Sequence, residues 1–151
     1  DHGEMLGEHR LWAKMNFYRG SVQVPLIIVP PGGMQPRVDP SLVELTDITA
    51  TLAAIGGAAA PAGCRGQSLL PALTEPQAGR GLLHARIGNY AAIRSATHRL
   101  TMHLKSGTAC ELFDLKNDPA EQANLINDPA LASIVSDLQV ALLDHESSDD
   151  E

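Results

Sequence analysis

Hydrophobic residues in the first third of the chain form one nearly continuous run, from Val22 to Val29. The run is rich in β-branched residues and stops at Pro-Pro-Gly-Gly, which is typical of a strand buried on both faces. Pro25 cannot donate to a strand ladder, so it belongs at the beginning of the strand. The pattern therefore predicts one strand of an α/β layer.

The next segment has apolar residues at spacings of three and four, which predicts an amphipathic helix between Asp39 and Gly57. Asp39 or Ser41 can cap its beginning, and Gly56 with Gly57 can end it. The predicted buried stripe consists of Leu42, Leu45, Ile48, Leu52 and Ile55.

Beyond residue 81 the periodicity shortens to that of strands. Turn signals at Gly88-Asn89 and Ser106-Gly107 predict two or three antiparallel strands in a meander. Asp-Pro pairs at 118–119 and 128–129 predict the beginnings of two helices, since Asp is a good cap and Pro fits the first helical position. The second helix has a predicted apolar stripe of Leu131, Ile134, Val135, Leu138 and Leu142, and an acidic tail expected to fray follows it.

These elements indicate an α/β class overall, with α+β character within this stretch of sequence. We predict two domains, residues 1–80 and residues 81–151, separated at the Gly- and Pro-containing loop 74–81. One predicted parallel strand and one helix cannot complete a doubly wound sheet. The pattern therefore suggests that the chain is part of a larger molecule.

Composition narrows the function classes. The 151 residues are 44% hydrophobic and carry a net charge of −7, which argues against binding to nucleic acid. The sequence contains no run of 18 apolar residues, so no membrane span is predicted. No signal peptide is visible, and the compartment stays open between cytoplasm and periplasm. Cys64 and Cys110 form no CxxC pair; they allow one disulfide or two separate thiols, and the thiols are favoured.

The first two residues carry candidate metal chemistry. Asp1 offers a carboxylate and His2 an imidazole nitrogen, and both side chains bind divalent cations. Two ligands do not complete a site, so the dipeptide alone is weak support for a metal.

The stretch that follows, DHGEMLGEHRLWAKMNFYRGSVQVPLII, closely resembles the sulfatase family, which has the alkaline-phosphatase-like fold. The matching residues are Asp1, His2, Gly3, Glu4, Gly7, Leu11, Trp12, Lys14, Tyr18, Ser21, Val22, Val24, Pro25 and Leu26. Later segments resemble the family in the same order: VELTDITATLAAIGG, RGQSLLPAL, AIRSATHRLTMH and ELFDLKNDPAEQANL. Such a likeness implies the C-terminal part of a sulfatase, with a small antiparallel sheet and a C-terminal helix.

The resemblance implies metal-dependent hydrolysis of sulfate esters, or of phosphate or phosphonate esters in some members. It places Asp1 and His2 among the metal ligands and Lys14 on the substrate sulfate, as the catalytic residue of this chain. The expected cation is calcium, with manganese or magnesium as alternatives. The expected nucleophile is a formylglycine made from a Cys/Ser-x-Pro-x-Arg motif.

The chain departs from the family pattern in one important respect, since it has no Cys/Ser-x-Pro-x-Arg motif. The formylglycine is therefore expected upstream, and this stretch alone is expected to be inactive. A second hypothesis is a non-catalytic, sulfatase-like interaction or scaffold module. Self-association through a face that the missing part leaves uncovered is also expected.

We expect structural roles for two residues near the predicted site. For His9, bracing of the loop is favoured over lining of the site. Trp12 is expected to pack and thereby to fix the loop that carries Lys14.

Overall fold

The computed structural model describes residues 1–30, 32–75 and 79–149. Backbone contacts divide the chain into two units: one contains Asp1 and Pro25–Leu83, and the other contains His2–Val24 and His84–Glu151. The predicted boundary loop lies in part at residues 76–78, outside the described residues, and the division into 1–80 and 81–151 stays a prediction.

Within its described residues, the first unit contains two helices, α2 at Leu45–Ile55 and α3 at Leu70–Thr74. Helix α2 confirms the helix predicted in this segment and its end at Gly56-Gly57, where Gly57 has a φ of 70°. The capping residue is Glu44 rather than Asp39 or Ser41.

The apolar stripe predicted for α2 is only partly buried within the described chain. Ile48 is half-buried, Leu52 is 64% exposed, and Leu45 and Ile55 are also exposed. The buried positions are Asp47, Ala50 and Thr51, and the two polar ones have hydrogen-bond partners inside the unit.

Asp47 organises the interior of this unit. Its carboxylate accepts hydrogen bonds from the backbone N–H of Glu44 at 2.8 Å and of Gln67 at 2.7 Å, and from the guanidinium of Arg80. Burial would raise the pKa of Asp47, but these hydrogen bonds and the Arg80 charge hold it below its ordinary value. Asp47 thus joins the beginning of α2 to two loops that are distant in sequence.

The strand predicted from Val22 to Val29 is also wrong. Val22 ends a short helix, α1 at Arg19–Val22, and residues 23–30 adopt no regular element. Ile27 is 86% exposed and Val29 80%. A strand needs a neighbour with which to exchange backbone hydrogen bonds, and none of the strands in the described part of the chain pairs with this segment. Self-association through such apolar surface stays a prediction.

The second unit is built on a four-stranded antiparallel sheet. Its strands are β1 (Leu83–Ile87), β2 (Tyr90–Arg94), β3 (His98–His103) and β4 (Thr108–Asp114), and they neighbour one another in sequence order. The antiparallel meander and both predicted turns are confirmed, with Gly88 at φ 59° and Gly107 at φ 64°, but the sheet has four strands rather than two or three. A register shift between Thr101 and Met102 interrupts the pairing of β3 with β4.

The helix predicted at Asp118-Pro119 is wrong, because polar side chains there bind backbone groups in turns. The Asp118 carboxylate accepts from the Ala123 N–H at 2.8 Å, and the Asn124 side-chain oxygen accepts from the Leu112 N–H of β4 at 3.0 Å. The Leu125 N–H then donates to the Leu112 carbonyl at 2.8 Å. These hydrogen bonds hold the segment against β4, so it does not form a helix.

The second predicted helix is confirmed. A 3₁₀ turn at Pro129–Leu131 leads into α4, Ala132–Asp149. Asp128 caps the 3₁₀ turn by accepting a hydrogen bond from the Ala130 N–H. Helix α4 packs on β2, β3 and β4. The side chains buried in this core include Ile93, Leu100, Met102, Leu112, Leu138 and Leu142.

Two further sequence-based expectations are resolved. Both cysteines are free thiols, as favoured. Among the described residues no helix is both long and apolar enough to cross a membrane.

We predict that Leu142→Ala in the full-length protein lowers the free energy of unfolding by about 2–5 kcal/mol, because Leu142 is fully buried and the change leaves a cavity. Its neighbour Leu143 is 43% exposed, so Leu143→Ala is the matched control and should cost about 1 kcal/mol or less. Urea unfolding measures both variants. Equal costs would contradict the packing of α4 on the sheet.

We predict that Asp47→Asn lowers the free energy of unfolding by about 2–3 kcal/mol at pH 7, because Arg80 loses its buried counter-charge. The folded-state pKa of Asp47 is depressed, so its contribution is present above the unfolded pKa of about 3.9 and is lost as pH falls through the folded value. The stability difference from wild type should therefore shrink toward low pH in urea unfolding. Asp137→Asn, on the exposed face of α4, is the control; a pH-independent difference for Asp47→Asn would contradict the ion pair.

Candidate functional site

The candidate site lies in the loop formed by residues 2–24, which contains a 3₁₀ turn at Glu8–Arg10 and the short helix α1. Backbone hydrogen bonds close this loop on itself. The Gly3 N–H donates to the Ser21 carbonyl at 2.8 Å, and the Met5 N–H donates to the Ala13 carbonyl at 3.0 Å. Met5 is fully buried beneath it. The loop is therefore a folded substructure rather than an extended strap.

The loop backbone is locally strained. A Cβ on Gly3 would lie 2.1 Å from the Gly20 carbonyl oxygen, so this crossing tolerates glycine alone. Several non-glycine residues adopt left-handed conformations at a cost of about 1 kcal/mol or more each, namely Leu6, His9, Arg10, Ala13 and Met15. Such residues persist only where surrounding contacts hold them, and two of them flank Lys14.

The loop brings His2 and Lys14 together. The Lys14 ammonium donates a hydrogen bond to Nε2 of His2, while Nδ1 of His2 lies 2.8 Å from the Gly3 carbonyl oxygen. Since a carbonyl only accepts, Nδ1 carries the proton and Nε2 presents its lone pair. Both side chains are exposed. A cation donor and a potential metal-binding nitrogen thus meet at one surface.

Asp1 is the remaining residue of the predicted metal site. Asp1 precedes His2 directly in sequence, but its backbone contacts place it in the first unit. Among the described residues, no group of three or more His, Cys, Asp and Glu side chains is arranged to hold a metal ion. Asp1, His2 and Lys14 stay predictions as site residues.

The bracing interpretation of His9 agrees with its contacts. Its Nε2 lies 3.0 Å from the Ala120 carbonyl oxygen, and its ring stacks on Tyr18 with 4.0 Å between centroids. The interpretation of Trp12 as packing is wrong, because its indole is 74% exposed.

Sequence reasoning missed the side chains that fasten the loop to the sheet. The Tyr18 hydroxyl donates to Oε1 of Glu111 at 3.1 Å, and the Arg19 N–H donates to Oε2 of Glu121 at 2.7 Å. Burial and the neighbouring Glu111 charge raise the pKa of Tyr18, so its hydroxyl stays a donor. A detectable signal was Arg99, a charged residue in a strand whose other central positions are apolar or uncharged.

The sequence is similar to known proteins over nearly its whole length. Residues 7–148 match the family described as N-sulphoglucosamine sulphohydrolase, C-terminal. The chain is 34% identical over 163 residues to the choline-sulfatase of Rhizobium meliloti, covering 99% of this chain and 31% of that protein.

Solved structures give the same result. A 2-O GAG sulfatase superposes with a TM-score of 0.84 at 29% identity, covering 99% of this chain and 35% of the other. The phosphonate monoester hydrolase of Agrobacterium radiobacter superposes with a TM-score of 0.78 at 25% identity, covering 97% and 34%.

In each case the chain spans about a third of the relative's length. The small antiparallel sheet and the C-terminal helix are those of the sulfatase structures, which confirms the fold expected from the sequence. The chain therefore belongs to the sulfatase family of the alkaline phosphatase superfamily, as the C-terminal part of such a protein.

Proposed function

We propose that the protein containing this chain is a metal-dependent sulfatase that hydrolyses sulfate esters, and that this chain supplies part of its active site. The observation that carries the proposal is the contact between Lys14 and His2 on a folded loop, in a chain that belongs to the sulfatase family. Two kinds of group that sulfate hydrolysis needs, a fixed cation and a metal-binding nitrogen, lie side by side.

Lys14 is the proposed contact to the sulfuryl group. An ammonium has three donors, and one of them is directed at His2, which leaves two for sulfuryl oxygens. A compact positive charge that is held in place before the reaction stabilises the negative charge that grows in the transition state. Before a cation binds His2, this hydrogen bond limits the freedom of an otherwise exposed side chain. The bond from the Met5 N–H to the Ala13 carbonyl holds the backbone beside Lys14 in either state.

Asp1 and His2 are the proposed metal-binding residues of this chain. The donor set fits a divalent cation in part, because a carboxylate suits calcium, manganese and magnesium and Gly3 fixes the tautomer of His2. The single lone pair of His2 Nε2 would bind the cation in place of its hydrogen bond from Lys14, which would free that ammonium donor for a sulfuryl oxygen. A bound cation would polarise the sulfuryl oxygens. We propose calcium, with the remaining ligands and the formylglycine supplied by other parts of the protein, since this sequence contains no Cys/Ser-x-Pro-x-Arg motif.

We predict that Lys14→Ala in the full-length protein lowers kcat for an aryl sulfate by about 10²–10³-fold, the usual effect of removing one electrostatic donor. The melting temperature should stay nearly unchanged, because Lys14 is exposed. Lys14→Arg should restore activity only in part, since a planar guanidinium does not occupy the position of an ammonium. Steady-state kinetics and thermal unfolding measure both effects.

Lys116→Ala removes another exposed lysine of the same unit and is the matched control. Near-normal turnover by Lys14→Ala would remove Lys14 from the site. If the unchanged full-length protein hydrolyses neither an aryl sulfate nor a phosphonate monoester with added calcium, manganese or magnesium, the scaffold hypothesis is favoured instead.

We predict that His2→Ala raises the calcium concentration needed for half-maximal activity by about tenfold or more, because one ligand is lost. The measurement is activity after chelation and titration with calcium, followed by manganese and magnesium. His103→Ala removes an imidazole that contacts Ser106 on the sheet, and it should leave the metal titration unchanged. An unchanged titration for His2→Ala would exclude His2 as a ligand.

A further inference from the structure

A buried arginine, Arg99 on β3, lies at the centre of the contacts between the sheet and the loop of residues 2–24. Its side chain is 3% exposed, and two carboxylates surround it. Its Nε donates to Oε1 of Glu121 at 2.6 Å, and its Nη1 donates to Oε2 of Glu111 at 3.2 Å. The guanidinium carbon lies 5.0 Å from the centroid of the Tyr18 ring.

Each carboxylate divides its two oxygens in the same way. One oxygen of Glu121 binds Arg99 and the other accepts from the Arg19 N–H; one oxygen of Glu111 binds Arg99 and the other accepts from the Tyr18 hydroxyl. The two acids therefore connect a buried cation on the sheet to two consecutive residues of the loop. Glu121 is itself 2% exposed and adopts a left-handed φ of 56°, which these bonds must hold.

We propose that Arg99, Glu111, Glu121 and Tyr18 are positioning residues that hold the loop so that Lys14 meets the sulfuryl group, an inference that rests on the proposed function. None of the four needs to touch substrate. They act through the loop backbone, and their effect on turnover passes through Lys14.

The route from this cluster to Lys14 is short. The cluster holds residues 18 and 19; the Ser21 carbonyl accepts from the Gly3 N–H at 2.8 Å; and His2, beside Gly3, accepts from Lys14. A second tie joins the Met5 N–H to the carbonyl of Ala13, directly before Lys14. A displacement of residues 18–19 therefore moves His2, which contacts the Lys14 ammonium, through the bond between Ser21 and Gly3. The bond between Met5 and Ala13 carries the same displacement to the residue before Lys14.

Within this chain, few contacts other than this anchor bury the loop. Of residues 2–24, only Met5, Phe17 and Ser21 are buried, while Leu6, Trp12 and Met15 are more than 70% exposed. Left-handed residues on both sides of Lys14 favour relaxation once the anchor is released. A misplacement of about 1 Å of a catalytic group can cost about 10²-fold in rate.

The first test measures anchoring without reference to activity. In the full-length protein, Glu121→Gln should speed amide hydrogen exchange of Gly3, Met5 and Arg19 by about tenfold or more. Tyr18→Phe keeps the ring and the buried ion pair and should give a smaller increase in the same amides. Glu146→Gln breaks the Arg86–Glu146 pair at 2.8 Å elsewhere in the unit and should leave these amides unchanged.

The second test measures turnover in a double-mutant cycle with Lys14→Ala. Glu121→Gln should lower kcat by about 10–100-fold when Lys14 is present, with a smaller change in KM, and by less than about 3-fold in the Lys14→Ala background. An equal loss of kcat in both backgrounds would show that Glu121 acts through the overall stability of the protein. That result would overturn the inference. If Glu121→Gln does not fold, Tyr18→Phe takes its place in the same cycle.

The two tests separate the inference from the function on which it rests. Unchanged loop exchange in Tyr18→Phe and Glu121→Gln overturns the inference whatever the kinetics show. If Lys14→Ala alone leaves kcat unchanged, the proposed role of Lys14 fails, and the positioning of Lys14 for catalysis fails with it, even where the exchange data establish the anchor.

Discussion

A buried positive charge is the constraint on which the arrangement of the second unit depends. Arg99 points into the interior from β3 and needs negative charge around it, because an unpaired guanidinium in such a place costs several kcal/mol. Glu111 and Glu121 supply that charge, one from the adjacent strand β4 and one from the turn after it. Their remaining oxygens then need donors, and Tyr18 and Arg19 provide them. Satisfying one cation thereby determines where a distant loop must lie.

The elements that could be predicted from sequence are those whose causes are local. The meander follows in part from the glycine-containing turns between β1 and β2 and between β3 and β4. Helix α4 follows from an Asp-Pro beginning and an apolar stripe that meets the sheet. The failures have non-local causes. Residues 22–29 have the composition of a strand, but pairing needs a partner strand. In α2 the buried face contains Asp47 because Arg80, 33 residues later, neutralises it.

The candidate site likewise has residues that the sequence could predict and contacts that only the fold shows. Asp1, His2 and Lys14 were identified from a family resemblance, and the loop brings the last two into contact. The contacts that Glu111 and Glu121 make with Arg99 could not be predicted from sequence, because each glutamate alone resembles an ordinary surface acid. Only the fold places both of them against Arg99, and only the fold gives Glu121 its left-handed backbone.

The sequence separation of the anchor contacts has a consequence for the order of assembly. The bond between Arg19 and Glu121 spans 102 residues, and that between Tyr18 and Glu111 spans 93. A ribosome adds about 5–20 residues per second, so the loop emerges on the order of 5–20 s before the acids that fix it. Throughout that interval the left-handed turns beside Lys14 are held only by hydrogen bonds within the loop itself. The final placement of this surface therefore follows formation of the C-terminal sheet.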